Sequence, residues 1–129
     1  MKILADTNLF VKFCRNLPVP REVESAFADT GNELFLSAYS ITEIYRLWKN
    51  DRLPDNPDSW INLALPGWNI LPMNFSIARQ AAIWNWEHRD PADRVIAATA
   101  LEEKIHLWHT DTILKKLSGF PQNYLKNLE

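Results

Sequence analysis

KILADTNLFVKFC, residues 2–14, divides in two at Asp6. The short apolar run before Asp6 predicts a buried strand. After it Leu9, Phe10, Phe13 and Cys14 recur at helical spacing and predict a helix. Working outward, the same alternation repeats. Pro18 and Pro20 break the chain. A helix is predicted over 21–29, with Val23, Ala26 and Phe27 on one face and Gly31 as its stop signal. A second strand follows over 33–37. Ser40 then opens a helix to about residue 50, striped by Ile41, Ile44, Tyr45 and Trp48. The polar, proline-marked 53–58 reads as a loop, 60–65 as a short helix and 69–73 as a third strand. Helices are predicted over 76–86 and 91–104, a fourth strand over 105–108 and a short helix over 112–117. A last edge strand is expected near Tyr124. Strands alternating with helices imply an α/β fold: a parallel sheet covered on both faces.

Composition narrows the class. The 129 residues suit one domain, 1–129, with one core. At 47% hydrophobic and 23% charged the chain is ordinary globular protein. A single cysteine, Cys14, excludes an internal disulfide framework and a cysteine-based zinc site. No apolar run approaches the length of a membrane span, and an aspartate at position 6 argues against a signal peptide, so a cytoplasmic protein is expected. The three glycines form neither GxGxxG nor GxxxxGK[ST], which excludes a glycine-rich phosphate loop. A net charge of −2 leaves no general basic surplus, so nucleic acid would be held by a local patch or with a metal.

Five acids sit at element junctions. Asp6 follows the first strand and Asp111 the fourth. Glu43 is expected in the first turn of the helix after the second strand, and Asp90 and Asp93 open the helix before the fourth. Each has a plain reading as a helix cap: Ser40-Ile41-Thr42-Glu43 fits a capping box, and Asp90-Pro91-Ala92-Asp93 fits an Asp cap with proline at the first helical position. Together they read differently. In a parallel sheet, ligands bind beyond the carboxyl ends of the strands. Carboxylates crowded there cannot all stay ionised without a cation. Hard oxygen ligands favour Mg²⁺ or Mn²⁺, whose chemistry suits phosphodiester hydrolysis by a metal-activated water. His106 and His109 fall on opposite faces of the predicted strand and cannot share a metal. His88 reads as a surface residue or one that backs a ligand.

At this point the chain resembles a family. Ile-Leu-Ala-Asp-Thr-Asn at 3–8, Ser-Ala-Tyr-Ser-Ile-Thr-Glu-Ile at 37–44, His-Arg-Asp-Pro-Ala-Asp-Arg-Val-Ile-Ala-Ala-Thr-Ala at 88–100 and Thr-Asp-Thr-Ile-Leu at 110–114 are similar to PIN-domain nucleases, in particular the VapC-type toxins of bacterial toxin–antitoxin pairs. The resemblance implies a three-layer α/β/α sandwich with a central, mostly parallel sheet of four to five strands. It implies an endoribonuclease dependent on Mg²⁺ or Mn²⁺, with Asp6, Glu43, Asp93 and Asp111 as catalytic and metal-holding acids. Asn8 matches the small polar residue that steadies the first aspartate, and Asp90 the auxiliary acid. One departure stands at His109, where the family often has threonine two before the last aspartate.

Arg15, Arg46, Lys49, Arg52 and Arg89 are candidate phosphate contacts, since their segments should flank the site; Arg94, within the family-like acidic segment, reads as an ion-pair partner or phosphate contact rather than a catalyst. Expected partners are RNA, a small antitoxin, a second copy of the chain and no membrane. Trp84 and Trp86, two apart on the predicted helix, should lie about 200° apart, so one should be partly exposed and mark an interface. Two other classes fit the sequence less well. A phosphoryl-accepting receiver domain needs paired acids after the first strand and a lysine after a late strand, and neither occurs. A non-catalytic PIN-like binding module would normally have lost part of the quartet.

Overall fold

Five parallel strands, in the order β3-β2-β1-β4-β5, form the centre of the computed structural model, which describes residues 1–127. They are β1 (Lys2–Ala5), β2 (Glu33–Ser37), β3 (Trp68–Leu71), β4 (Leu107–His109) and β5 (Gln122–Tyr124). The last two residues of the predicted 1–129 domain lie outside the described residues. Helices alternate with the strands: α1 (Thr7–Cys14), α2 (Arg21–Ala28), α3 (Ala38–Lys49), α4 (Ile61–Ala64), α5 (Phe75–Ile83), α6 (Pro91–Glu103) and α7 (Thr112–Lys115).

The pleat divides the core between two faces. Ile3, Ala5, Leu34, Leu36 and Trp108 point to one side, where Leu9, Phe10, Val23, Phe27, Ile44 and Ile61 cover them. Leu4 and Leu107 point to the other, against Ile96, Ala97, Ala100 and Leu114. Burying a side chain the size of Phe10 or Leu4 contributes about 1.5–3 kcal/mol. The α6 helix is buried almost all round because Ala92, Ala97, Ala98 and Ala100 let its neighbours approach closely, so it shows no amphipathic stripe.

The chain fills the sheet outward from β1 in one direction, β2 then β3, and returns to fill the other, β4 then β5. Strand order therefore reverses between β1 and β4, and a crevice opens beyond their carboxyl ends. Asp6 lies in it: its backbone N–H donates to the Trp108 carbonyl at 3.0 Å.

Three local expectations are corrected. The third helix starts at Ala38, capped by the Ser37 hydroxyl, which accepts from the Tyr39 N–H at 3.1 Å. Ser40 is thus inside the helix and caps nothing, and Glu43 lies in the second turn. The fourth strand is Leu107–His109. Finally, α5 ends at Ile83, and Trp84 leaves it in an extended conformation. Trp84 and Trp86 are therefore not opposed across a helix. Their rings stack at 4.0 Å and 12°, half-buried, and both meet Phe120. A side chain at Gly119, where φ is +102°, would press on the Trp84 indole.

Candidate active site

Asp6 begins α1 with its main chain only. Its carbonyl accepts from the Phe10 N–H at 3.0 Å, while its carboxylate makes no cap bond. That carboxyl is buried and faces other acids. Burial first, then the charges of Asp93, Glu43 and Asp111, push its pKa up from 3.8 to about 8. Next to it, the Thr7 hydroxyl donates to the buried Ser40 hydroxyl oxygen at 2.8 Å, pinning α1 to α3. One turn along α3 from Ser40 stands Glu43. Burial raises its pKa, the Thr7 hydroxyl holds it back, and Asp93 and Asp90 raise it further.

The α6 side supplies two acids. The Asp90 carboxylate caps the helix, accepting from the Ala92 N–H at 2.9 Å and the Asp93 N–H at 3.4 Å, with Pro91 at the first helical position. Asp93, in that first turn, accepts from His88 Nε2 at 2.7 Å through Oδ2. Its pKa is raised by burial, against the hydrogen bond from His88, and then by Asp90 and Asp111. Asp111 caps α7 through Oδ1, accepting from Ile113 N–H at 2.7 Å and Leu114 N–H at 3.3 Å. Its own N–H donates to Nδ1 of buried His109 at 3.1 Å. His109 Nε2 meets the Gln122 side-chain carbonyl oxygen at 2.7 Å, which fixes the Nε2–H tautomer. Burial keeps the His109 pKa low.

Asp6, Asn8, Glu43, Asp90, Asp93 and Asp111 all line one cavity of about 380 Å³. Among the described residues, the single basic one on its wall is Arg52. The acids face one another across this space without meeting at a point. Among the described residues, no three Asp, Glu, His or Cys side chains are gathered into a finished ligand set. Nor, among the described residues, does any of these acids pair with Lys or Arg; the ion pairs are Arg15–Asp55 and His88–Asp93. Hard oxygen donors, uncompensated charge and upward-shifted pKa values fit a hard divalent cation. A larger cavity of about 640 Å³ lies at the opposite end of the sheet, among Phe13, Phe27, Trp60 and Trp68. Among the described residues, Asp29 is its one carboxylate. Perturbed titrating groups, rather than size, mark the acidic cavity as the candidate.

The remaining basic candidates do not gather with Arg52. Arg15 is held by Asp55 and lies over the Trp60 ring. Arg46 donates to the Tyr39 hydroxyl at 3.2 Å, Lys49 lies 5.5 Å from the Trp48 ring, and Arg89 is exposed away from the cavity wall. The expectation for Arg94 is corrected: its guanidinium donates to the carbonyls of Ala81, Trp84, Trp86 and His88, which leaves it no free edge for a phosphate. One contributor was missed: Thr7 lies between Asp6 and Asn8, but its partner Ser40 is 33 residues away. His88, read as a surface residue or one that backs a ligand, stands against Asp93.

The family model of the PIN domain matches residues 3–119. Among solved structures, VapBC2 from Rickettsia felis, bound to a DNA fragment from its promoter, superposes with a TM-score of 0.71 at 14% identity, over 96% of this chain and 98% of that one. A toxin–antitoxin complex from Klebsiella pneumoniae gives 0.63 at 21% identity, over 85% and 87%. FitAcB from Neisseria gonorrhoeae gives 0.57 at 24% identity, over 85% and 88%. At these identities the likeness is one of fold. No curated protein matches the chain significantly in sequence.

Proposed function

The chain belongs to the PIN-domain family, and on that premise we propose that it is a divalent-metal-dependent endoribonuclease, the toxin of a toxin–antitoxin pair. The observation that carries this reading is the cavity at the β1–β4 switch point, walled by Asp6, Glu43, Asp90, Asp93 and Asp111 with, among the described residues, Arg52 alone to oppose them. Asp6, Glu43, Asp93 and Asp111 would hold Mg²⁺ or Mn²⁺. The ion, when bound, lowers the pKa of water and offsets phosphate charge.

The chain's own residues do the rest. Near neutral pH the metal-free protein keeps a proton on Asp6, which Asp6 would release on holding a cation. Asp90 fixes the first turn of α6, and with it the backbone of Asp93. The His109–Gln122 pair fixes the backbone N–H of Asp111. Asn8 offers a neutral polar group beside Asp6 on the cavity wall, and Arg52 a phosphate contact. An antitoxin partner is supported by the structural neighbour from Klebsiella pneumoniae, a toxin–antitoxin complex. For a homodimer, exposed Phe75 and Ile83 on α5 replace the tryptophans as apolar surface.

The test is cleavage of single-stranded RNA. Activity is expected with Mg²⁺ or Mn²⁺, none with EDTA, and little with Ca²⁺, which prefers more ligands at longer distances. Full activity in EDTA, or none with any divalent ion, overturns the reading.

A further inference from the structure

The segment joining α5 to α6 is tied down by one side chain. Arg94, in the first turn of α6, turns its guanidinium back onto that segment. Its Nε donates to the Ala81 carbonyl at 2.6 Å. One terminal nitrogen donates to the carbonyls of His88 at 2.8 Å and Trp86 at 3.4 Å, and the other to that of Trp84 at 2.5 Å. The same guanidinium lies 5.6 Å from the centre of the Trp86 ring. Trp84, Trp86 and His88 are half-buried, while Asn85, Glu87 and Arg89 between and beyond them are exposed. The first two stack on each other. The third brings Nε2 to 2.7 Å from Asp93 Oδ2.

Resting on the reading of Asp93 as a metal-holding acid, we propose that His88 is a positioning residue for Asp93 and that Arg94 holds it in place. Asp93 and Arg94 are adjacent, so the turn that carries the acid also carries the clamp on its partner. Binding Oδ2 to His88 removes rotamer freedom from the carboxylate and leaves Oδ1 as the oxygen without a hydrogen bond. Only a guanidinium can do the clamping. Its five donors form a rigid fork that reaches four carbonyls, whereas a lysine brings one nitrogen with three donors.

The test separates this role from simple packing. Mn²⁺ affinity is measured by electron paramagnetic resonance of the free ion, without RNA. His88→Ala should weaken it by about 10- to 100-fold, the usual loss when a ligand's hydrogen-bond partner is removed. The melting temperature and the near-ultraviolet circular dichroism of the Trp84–Trp86 stack should stay as in wild type. His88→Gln, which keeps an N–H donor, should recover most of the loss. Arg94→Lys should weaken Mn²⁺ binding similarly and move the ring ¹⁵N resonances of His88 in the metal-free protein. Unchanged affinity in His88→Ala overturns the role of His88. Unmoved His88 resonances in Arg94→Lys overturn the role of Arg94. Should wild type take up no Mn²⁺, the proposed function fails separately. The positioning is then decided by the His88 resonances in metal-free Asp93→Asn and Arg94→Lys: movement in both upholds it, and no movement in either overturns it.

Discussion

The two flanks of the acidic cavity use carboxylates differently. On the α6–α7 flank every acid has a structural occupation. Asp90 and Asp111 each cap a helix through Oδ1, and Asp93 accepts from His88. On the β1–α3 flank, Asp6 stands at a cap position without capping through its side chain, and Glu43 lies in the second turn of α3, where no N-terminal amide needs an acceptor. Sequence alone offers the capping explanation for all five. The structure grants it to Asp90 and Asp111 and withholds it from Asp6, Glu43 and Asp93. A buried carboxylate that caps no helix and has three like-charged neighbours costs stability, so its presence asks for a ligand.

The sharpest way to break this contrast is Asp6→Asn. RNA cleavage should fall by more than about 100-fold, beyond the loss typical of residues that only support a ligand. Metal-free stability should hold or rise, because the amide is neutral without taking up the proton that Asp6 must bind on folding. Cleavage retained beside a lowered melting temperature would place Asp6 with the structural acids.

A second expectation concerns pH. Between 3.8 and about 8 the folded chain holds a proton on Asp6 that the unfolded chain has released. Stability of the metal-free protein therefore falls as pH rises through that window, by at most about 1.4 kcal/mol per unit for one proton. Saturating Mg²⁺ should flatten the slope, since the cation takes the proton's place. Denaturant midpoints at pH 5, 6, 7 and 8, with and without Mg²⁺, measure it; equal slopes under both conditions would argue against the reading of this flank.

What the sequence disclosed follows the same divide. The acids were legible because strand ends and helix starts place them, and those follow from local apolar runs and prolines. The order of the sheet puts them together, and the alternation of elements implied a parallel sheet before its order was known. Ser40 misled because Ser-x-x-Glu satisfies a local pattern, while its actual partner, Thr7, comes from another element. The predicted helix through Trp86 failed for a similar reason. Arg94, 13 residues from Ala81, collects the carbonyls that would otherwise continue the helical ladder. Local pattern reads elements; it does not read which distant group completes a hydrogen bond.

Asp111 tests the structural flank with a smaller effect. Asp111→Ala removes a cap and should cost about 1 kcal/mol of stability, while Asp111→Asn, itself a good cap, should cost little. Both should impair cleavage, because neither supplies a carboxylate. Separate losses of stability and activity would show one side chain serving both ends. If Asn restored cleavage as well as stability, Asp111 would be a cap alone.

The smallest effect is expected at Arg52, a cation on the cavity wall. With a net charge of −2, long-range attraction of RNA is weak, and grip should rest on few phosphate contacts. Each contact to a single strand contributes roughly 0.7 to the slope of log affinity against log salt. Arg52→Ala should therefore lower that slope by about one contact and weaken binding evenly across sequences, because a phosphate contact reads no base. Arg94→Ala, by contrast, should leave the salt slope unchanged, since its guanidinium is already occupied by carbonyls. Binding of a catalytically silent Asp6→Asn protein to labelled single-stranded RNA, followed over a salt series in both backgrounds, distinguishes the two arginines. A slope that moves with Arg94 and not with Arg52 would mean that RNA approaches over α6 rather than across the cavity mouth.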